Sequence, residues 1–338
     1  MLSGQSNVFH QELTLVPTDT VNPLTGHIRF DADACCVDGP CAGNTTWDGA
    51  LVWGRDDKHV AVGNTTHTWT GGNQAGAKNV LHLSPKITAY ATLPPLVNEQ
   101  MPSRGWTALD AEIRYDGIVG AQPGCVFTKY RPTWTFNSKK VSAAAAHAWL
   151  IRSTLPNHPG SKQHNAPMYY LAPRDRADNP GRTPDDNRDV ICLSGWAKKN
   201  AHPETASLPE INSKDVPSCD EFAFAASYNS SGMPAAYGGL NSVSSGDQCL
   251  KTYATRKVRG EWHLYNDERK QAPTFRELCG RSAMSNWIKG TSMGGAFSSG
   301  FSGKYRLLNR DPYWVSTPGF EHCNASTRPV RCTMSMSS

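Results

Sequence analysis

Two acids stand side by side at Asp220 and Glu221, directly after Cys219 and ahead of the apolar run Phe222-Ala223-Phe224-Ala225-Ala226. Paired carboxylates are groups that general acid/base chemistry can use. In an extended segment adjacent side chains point to opposite faces, so one acid reaches a cleft while the other turns toward a supporting partner. The plainest reading is that the pair simply begins a strand. A second block, Asp185-Asp186-Asn187-Arg188, presents an arginine with two readings. Its fork can meet a phosphate through two parallel donors, or it can pair with Asp186 and hold its own loop.

Other chemistry-bearing residues are more diffuse. Between positions 250 and 265, Lys251, Arg256, Lys257, Arg259, Trp262, His263 and Tyr265 interleave cations with rings. That mixture grips a nucleic-acid backbone and stacks on bases, and it equally fits a strand pair with one wet face. His158 and His164 lie in a polar loop and receive no role. Asp31, Asp33 and Asp38 are spaced as in a calcium loop but lack its full pattern, which favours a solvated turn.

The elements that must position these groups divide into two parts. Residues 1–138 carry short β-branched or alternating runs near positions 13–16, 27–30, 50–53, 59–62 and 86–90, separated by Gly, Pro, Asn and Asp. This spacing predicts an antiparallel sandwich or barrel, with residues 133–136 as its last strand or the bridge out of it. Trp47, Trp53, Trp69 and Trp106 suit either a core or a glycan-binding face. Residues 139–156 predict a connecting helix through the run Ala143-Ala144-Ala145-Ala146, closed by Pro156. Residues 157–188 predict an irregular surface segment. Residues 273–289 predict a helix, with Thr274 as N-cap and Glu277 completing a capping box.

Composition bounds the setting. The chain's 338 residues suffice for two cores, and no run of about 18 apolar residues offers a membrane span. Positions 1–10 hold neither a basic n-region nor an apolar h-region, so export would use a leader outside this chain or another route. Ten cysteines point to an oxidising, extracellular compartment, in which Cys192 with Cys219, Cys249 with Cys279, and Cys323 with Cys332 would each close a modest loop. Sequons begin at Asn44, Asn64, Asn229 and Asn324. Residues 1–138 hold 9 Lys or Arg against 12 Asp or Glu, whereas residues 139–338 hold 25 against 17. The net positive charge therefore lies in the second part, as a polyanion-binding surface requires.

Four blocks in order carry a resemblance. They are Gly124-Cys125-Val126-Phe127 with Tyr130-Arg131-Pro132-Thr133; Asp186-Asn187-Arg188 running to Cys192; Cys219-Asp220-Glu221-Phe222-Ala223-Phe224-Ala225 with Ser227-Tyr228; and Gly294-Gly295 with Tyr305-Arg306-Leu307-Leu308-Asn309-Arg310-Asp311-Pro312-Tyr313-Trp314-Val315. Together they resemble the secreted NucA/NucB-type deoxyribonucleases, relatives of the ββα-metal nucleases, over roughly residues 120–320. With the sandwich-like β-rich domain (1–138) read from strand spacing, the resemblance implies an α+β chain in which a disulfide-braced ββα-metal nuclease-like domain (157–322) follows, with a C-terminal tail (323–338).

The implied activity is a secreted, sequence-nonspecific endonuclease acting on DNA, or alternatively RNA, with Mg²⁺ or Mn²⁺. Asp220 would be the general base, Glu221 a metal-binding or metal-orienting group, and Arg306 the holder of the scissile phosphate. Arg188, Arg310 and Lys304 would contact substrate, and Thr291 stands where the family's metal-ligating Asn is found. A hydroxyl is a poorer ligand for Mg²⁺ than an amide carbonyl. Asn229 replaces the acid that usually follows the Phe-Ala-x-x-Tyr run, and Ala223 replaces a proline. These departures motivate the alternative of a catalytically impaired relative, acting as an extracellular binding or structural component toward a surface, glycan or protein partner.

Overall fold

The computed structural model describes residues 6–16, 27–36, 39, 41–54, 57–71, 76–93, 96–100, 111–201, 216–256, 262–266, 272–286, 293–326 and 330–334. It divides into Met1–Tyr130 and Arg131–Ser338. The architecture is α+β, with several small sheets and few helices.

In the first unit the strands are β1 (Val8–Leu15), β2 (His27–Cys36), β3 (Cys41–Asp48), β4 (Val52–Trp53), β5 (Ala61–Trp69), β6 (Lys78–Leu93), β7 (Leu96–Gln100), β8 (Ala111–Asp116) and β9 (Gly124–Phe127). They form one antiparallel sheet in the order β1-β5-β3 and another in the order β4-β2-β6-β8-β9, with β7 on β6. Along β5 the buried and exposed positions alternate, the period-two signature of a strand with one face on a core. Phe9 and Trp69 from the first sheet share that core with Leu81, Ile113 and Tyr115 from the second. The rings of Trp69 and Tyr115 stack 5.5 Å apart, so two sheets pack face to face as in a sandwich. Trp53 and Trp69 are buried, which spends them on packing. Trp106 and Asp38, and the side chains of Asp31 and Asp33, lie outside the described residues.

The second unit begins earlier than position 138. Strand β10 (Thr133–Thr135) pairs in parallel with β16 (Pro312–Ser316), and β16 pairs antiparallel with β11 (Met168–Tyr169). Residues 133–136 therefore belong to the second unit. Helix α1 (Ser142–Thr154) is also no connector. Every residue from Ser142 to Ile151 is buried, because its alanines let it seat closely on a sheet. That sheet runs β12 (Pro217–Phe222), β15 (Gly280–Ser285), β13 (Leu250–Arg256), β14 (Trp262–Asn266) and β17 (Arg331–Thr333). The expected tail contains strand β17, whose residues Arg331–Thr333 complete the sheet against β14. Helices α2 (Pro184–Ile191) and α3 (Trp196–Asn200) cover the opposite side through Ile191, Ala197, Cys219 and Ala283. The sheet is thus covered by α1 on one face and by α2 and α3 on the other.

Two helical expectations need correction. Over residues 273–289 the Thr274 and Glu277 bonds form, with Glu277 Oε1 accepting from Thr274 N at 2.8 Å, yet they close only a turn. The chain then enters β15, because residues 280–285 are wholly buried between β12 and β13 and Cys279 is tied to Cys249. Tertiary pairing overrides the local signal. Conversely, the segment expected to be irregular contains α2, started by a full capping box between Thr183 and Asp186 with Pro184 in the first turn.

Candidate functional site

Asp220 and Glu221 sit on β12, the edge strand of the five-stranded sheet, in regular antiparallel register with Ser282 and Arg281. The alternation expected of a strand holds. Cys219 joins the cluster under α3, while Phe222 joins the α1 side, so Glu221 shares the first face and Asp220 the second. Both acids are only 5% exposed. Among the described residues neither has an ion-pair partner within 4 Å.

Burial therefore dominates their titration. It pushes the Asp220 carboxyl up to about 7, against the pull of the Arg188 charge. For Glu221, burial and the Asp220 charge push the carboxyl up to about 8, again opposed by Arg188. Asp220 consequently titrates close to neutrality, where a general base is most effective.

Arg188 answers the question left open by its block. Asp186 is occupied in capping α2, its Oδ2 accepting from Thr183 N at 2.8 Å, and is not the partner of Arg188. Arg188 donates instead to Ser218 Oγ at 3.2 Å and to the carbonyl of Cys219 at 3.0 Å. Asn187 is fully buried, and its amide donates to the carbonyl of Ala225 at 2.9 Å. Helix α2 thus clamps the chain on both sides of the acids. The same two elements are joined by the Cys192–Cys219 disulfide. Glu221 Oε2 lies 3.1 Å from the Cys192 sulfur, which as a half-cystine has no proton to give.

The other predicted site residues are distributed as follows. After β15 comes a wide helical turn, Ala296–Ser302, whose Phe297 packs 5.4 Å from Phe224. This places the turn against the segment leaving the acids. Arg306 follows it, 2% exposed and with φ of 47°. Lys304 is exposed beside the ring of Tyr305, and the Arg310 guanidinium lies 4.4 Å over Tyr228. Thr291 is outside the described residues. Of the basic and aromatic stretch at 250–265, the backbone forms the antiparallel pair β13–β14, and most of its side chains are likewise outside them. Asn229 is buried, accepting from Tyr169 N and donating to the Pro167 carbonyl, so this sequon serves the fold.

No family model, curated protein or solved structure matches this chain. The site must be read from its own chemistry.

The donors present limit how a divalent ion could be held here. The sulfurs beside Glu221 are joined to each other, which removes them as thiolate ligands. On a regular strand Asp220 and Glu221 face apart, so together they do not chelate one ion. A hard cation would therefore find at most one carboxylate of the pair as a ligand, with water completing its shell. The predicted pairings Cys192–Cys219, Cys249–Cys279 and Cys323–Cys332 are all formed. Among the described residues no helix is long and apolar enough to cross a membrane.

Proposed function

We propose that the Arg131–Ser338 unit hydrolyses phosphodiester bonds of nucleic acid, with Asp220 as general base and DNA as the substrate class. The observation that carries this reading is a carboxyl enclosed on an edge strand, without an ion pair within 4 Å among the described residues, and titrating at about 7. Such a group accepts a proton from water near neutral pH and still returns it to a leaving oxygen. Arg188 supplies positive charge beside it, and a bound Mg²⁺ or Mn²⁺ would supply further stabilisation of the phosphate's negative charge. The order of elements also supports the reading: a strand bearing the acid, its antiparallel partner, then a helical turn against the first strand's continuation. The disulfides suit the extracellular setting, with the first unit available for a surface, glycan or protein partner.

Plasmid degradation with Mg²⁺ or Mn²⁺ tests the proposal. Cleavage by the natural chain and its loss in Asp220→Ala is the expected result, and equal rates in the two proteins would refute it. The enclosure of both acids favours one second reading, in which the unit is a catalytically impaired relative that binds without cleaving. Calorimetric titration with Mn²⁺ separates them: a specific ion lost in Glu221→Gln counts against the second reading.

A further inference from the structure

A cavity of about 420 Å³ opens in the second unit, and it shares no lining residue with the carboxyl site. Its size is that of a small-ligand pocket. Arg152, in the last turn of α1, and Lys162 bring two cations to its wall, together with the hydroxyls of Thr133, Ser153 and Ser316. No Asp or Glu is among the described residues that line it. Burial lowers the Arg152 guanidinium from its ordinary value, opposed by the charge of Glu321, which is not among the lining residues.

The cations are held in different ways. Arg152 donates to the carbonyl of Val315 and, at 3.1 Å, to Thr317 Oγ1, which fixes the guanidinium plane and leaves three of its five N–H groups for other acceptors. Lys162 is exposed and able to swing. Trp314 forms another part of the wall, and the exposed Arg131 lies 5.5 Å from its ring centroid, adding a third positive charge.

Beside the cations stands His164, stacked on His158 with ring centroids 3.7 Å apart. His158 is itself pinned, its Nδ1 lying 2.9 Å from the carbonyl of Arg152. Ser161 Oγ lies 2.9 Å from His164 Nδ1 and accepts the His164 backbone N–H at 3.3 Å. When the serine hydroxyl donates to Nδ1, the ring keeps its proton on Nε2 and becomes a further donor. A fixed arginine, a mobile lysine and hydroxyl groups from separate segments suit a tetrahedral oxyanion. A planar carboxylate would be satisfied by the arginine fork alone.

We propose that this pocket holds a backbone phosphate of a nucleic-acid strand, a second anchor apart from the carboxyl pair. This rests on the phosphodiesterase reading for the source of the phosphate. The pocket's own chemistry requires only the oxyanion.

The test is binding of a labelled single-stranded oligonucleotide to the full chain in EDTA, so that no cleavage occurs, across a range of salt concentrations. Lys162→Gln should weaken binding about five- to tenfold at low salt and reduce the steepness of the log–log salt dependence by about 0.7, the contribution of one phosphate contact on a single strand. Lys139→Gln removes the same charge just ahead of the other end of α1, roughly 20 Å away along a helix of this length, and should leave both values unchanged. Equal effects of the two variants, or no effect of Lys162→Gln, would overturn the proposal. So would calorimetric binding of inorganic phosphate that is lost in Lys162→Gln, in a chain that binds no oligonucleotide. If the oligonucleotide binds in a Lys162-dependent manner but the natural chain never cleaves with metal, the anchor stands and the catalytic reading falls. Cleavage that is insensitive to Lys162 gives the reverse.

Discussion

Replacing Asp220 by Asn should remove cleavage and stabilise the fold. The enclosed carboxyl is pushed from its ordinary 3.8 to about 7, chiefly by burial. Well below pH 4 both folded and unfolded chains carry it protonated, and it costs nothing. As pH rises from about 4 to 7 the unfolded chain releases the proton while the folded chain retains it, so stability falls over that window and stays reduced above it. Each unit of separation is worth roughly 1.4 kcal/mol, giving about 4 kcal/mol at pH 8.5 as the ceiling. Asn has nearly the same shape and cannot ionise. It also relieves Glu221, whose own carboxyl is raised in part by the Asp220 charge. Allowing for imperfect hydrogen bonding by the amide, we expect a gain of about 2 to 4 kcal/mol at pH 8.5. For a unit of this size that means a rise of roughly 5–15 °C in Tm. At pH 4 the natural protein and the variant should melt together. The assay is thermal melting by near-ultraviolet circular dichroism in EDTA, at pH 4, 6 and 8.5. A variant less stable than the natural chain at pH 8.5, or a difference that does not grow with pH, would refute the claim that burial raises this carboxyl.

Three further outcomes follow from the same geometry. Arg188→Gln removes the charge that lowers both acids, so the pH midpoint of the basic group governing kcat/KM should move upward; an unmoved midpoint would detach Arg188 from the site. His147 is buried, bonded through Nδ1 to Thr252 Oγ1 at 2.8 Å, and held down to about 3 by desolvation. The stability it contributes by staying neutral is present above pH 6.5 and lost as pH falls toward 3, so His147→Asn should flatten the acid side of a stability-versus-pH curve measured by urea titration. Converting both Cys192 and Cys219 to Ser opens a loop with a sequence separation of 27 and should cost about 3 to 4 kcal/mol by the same titration, with loss of cleavage as the clamp on β12 loosens.

Much of the scaffold was legible in the residues. The alanine run marks α1, the run at 59–62 reaches only the start of β5, and the three cysteine pairs picked out as closing modest loops are all bonded. The missed helix α2 was legible too, since Thr183-Pro184-Asp185-Asp186 is a capping box with proline in the first turn. The false helix at 273–289 shows the opposite case: Thr274 and Glu277 satisfy a local rule, but the six residues after Cys279 gain more by pairing on two sides. The acids themselves could be found from their order in the chain. Their enclosure could not, because it depends on α1 and α3 arriving on opposite faces of β12. Nor could the cationic pocket, which draws Thr133, Arg152, Lys162 and Trp314 from distant parts of the chain.

The parallel partnership of β10 and β16 joins residues near the start of the second unit to residues close to its finish. On a ribosome, Thr133–Thr135 would emerge long before Pro312–Ser316, and β17 later still. The unit must therefore wait for nearly all of its length before these pairings can form, and the earlier β-sandwich can mature ahead of it. Truncation anywhere before β16 would therefore leave β10 and β11 without their shared partner strand, however complete the five-stranded sheet's earlier strands were.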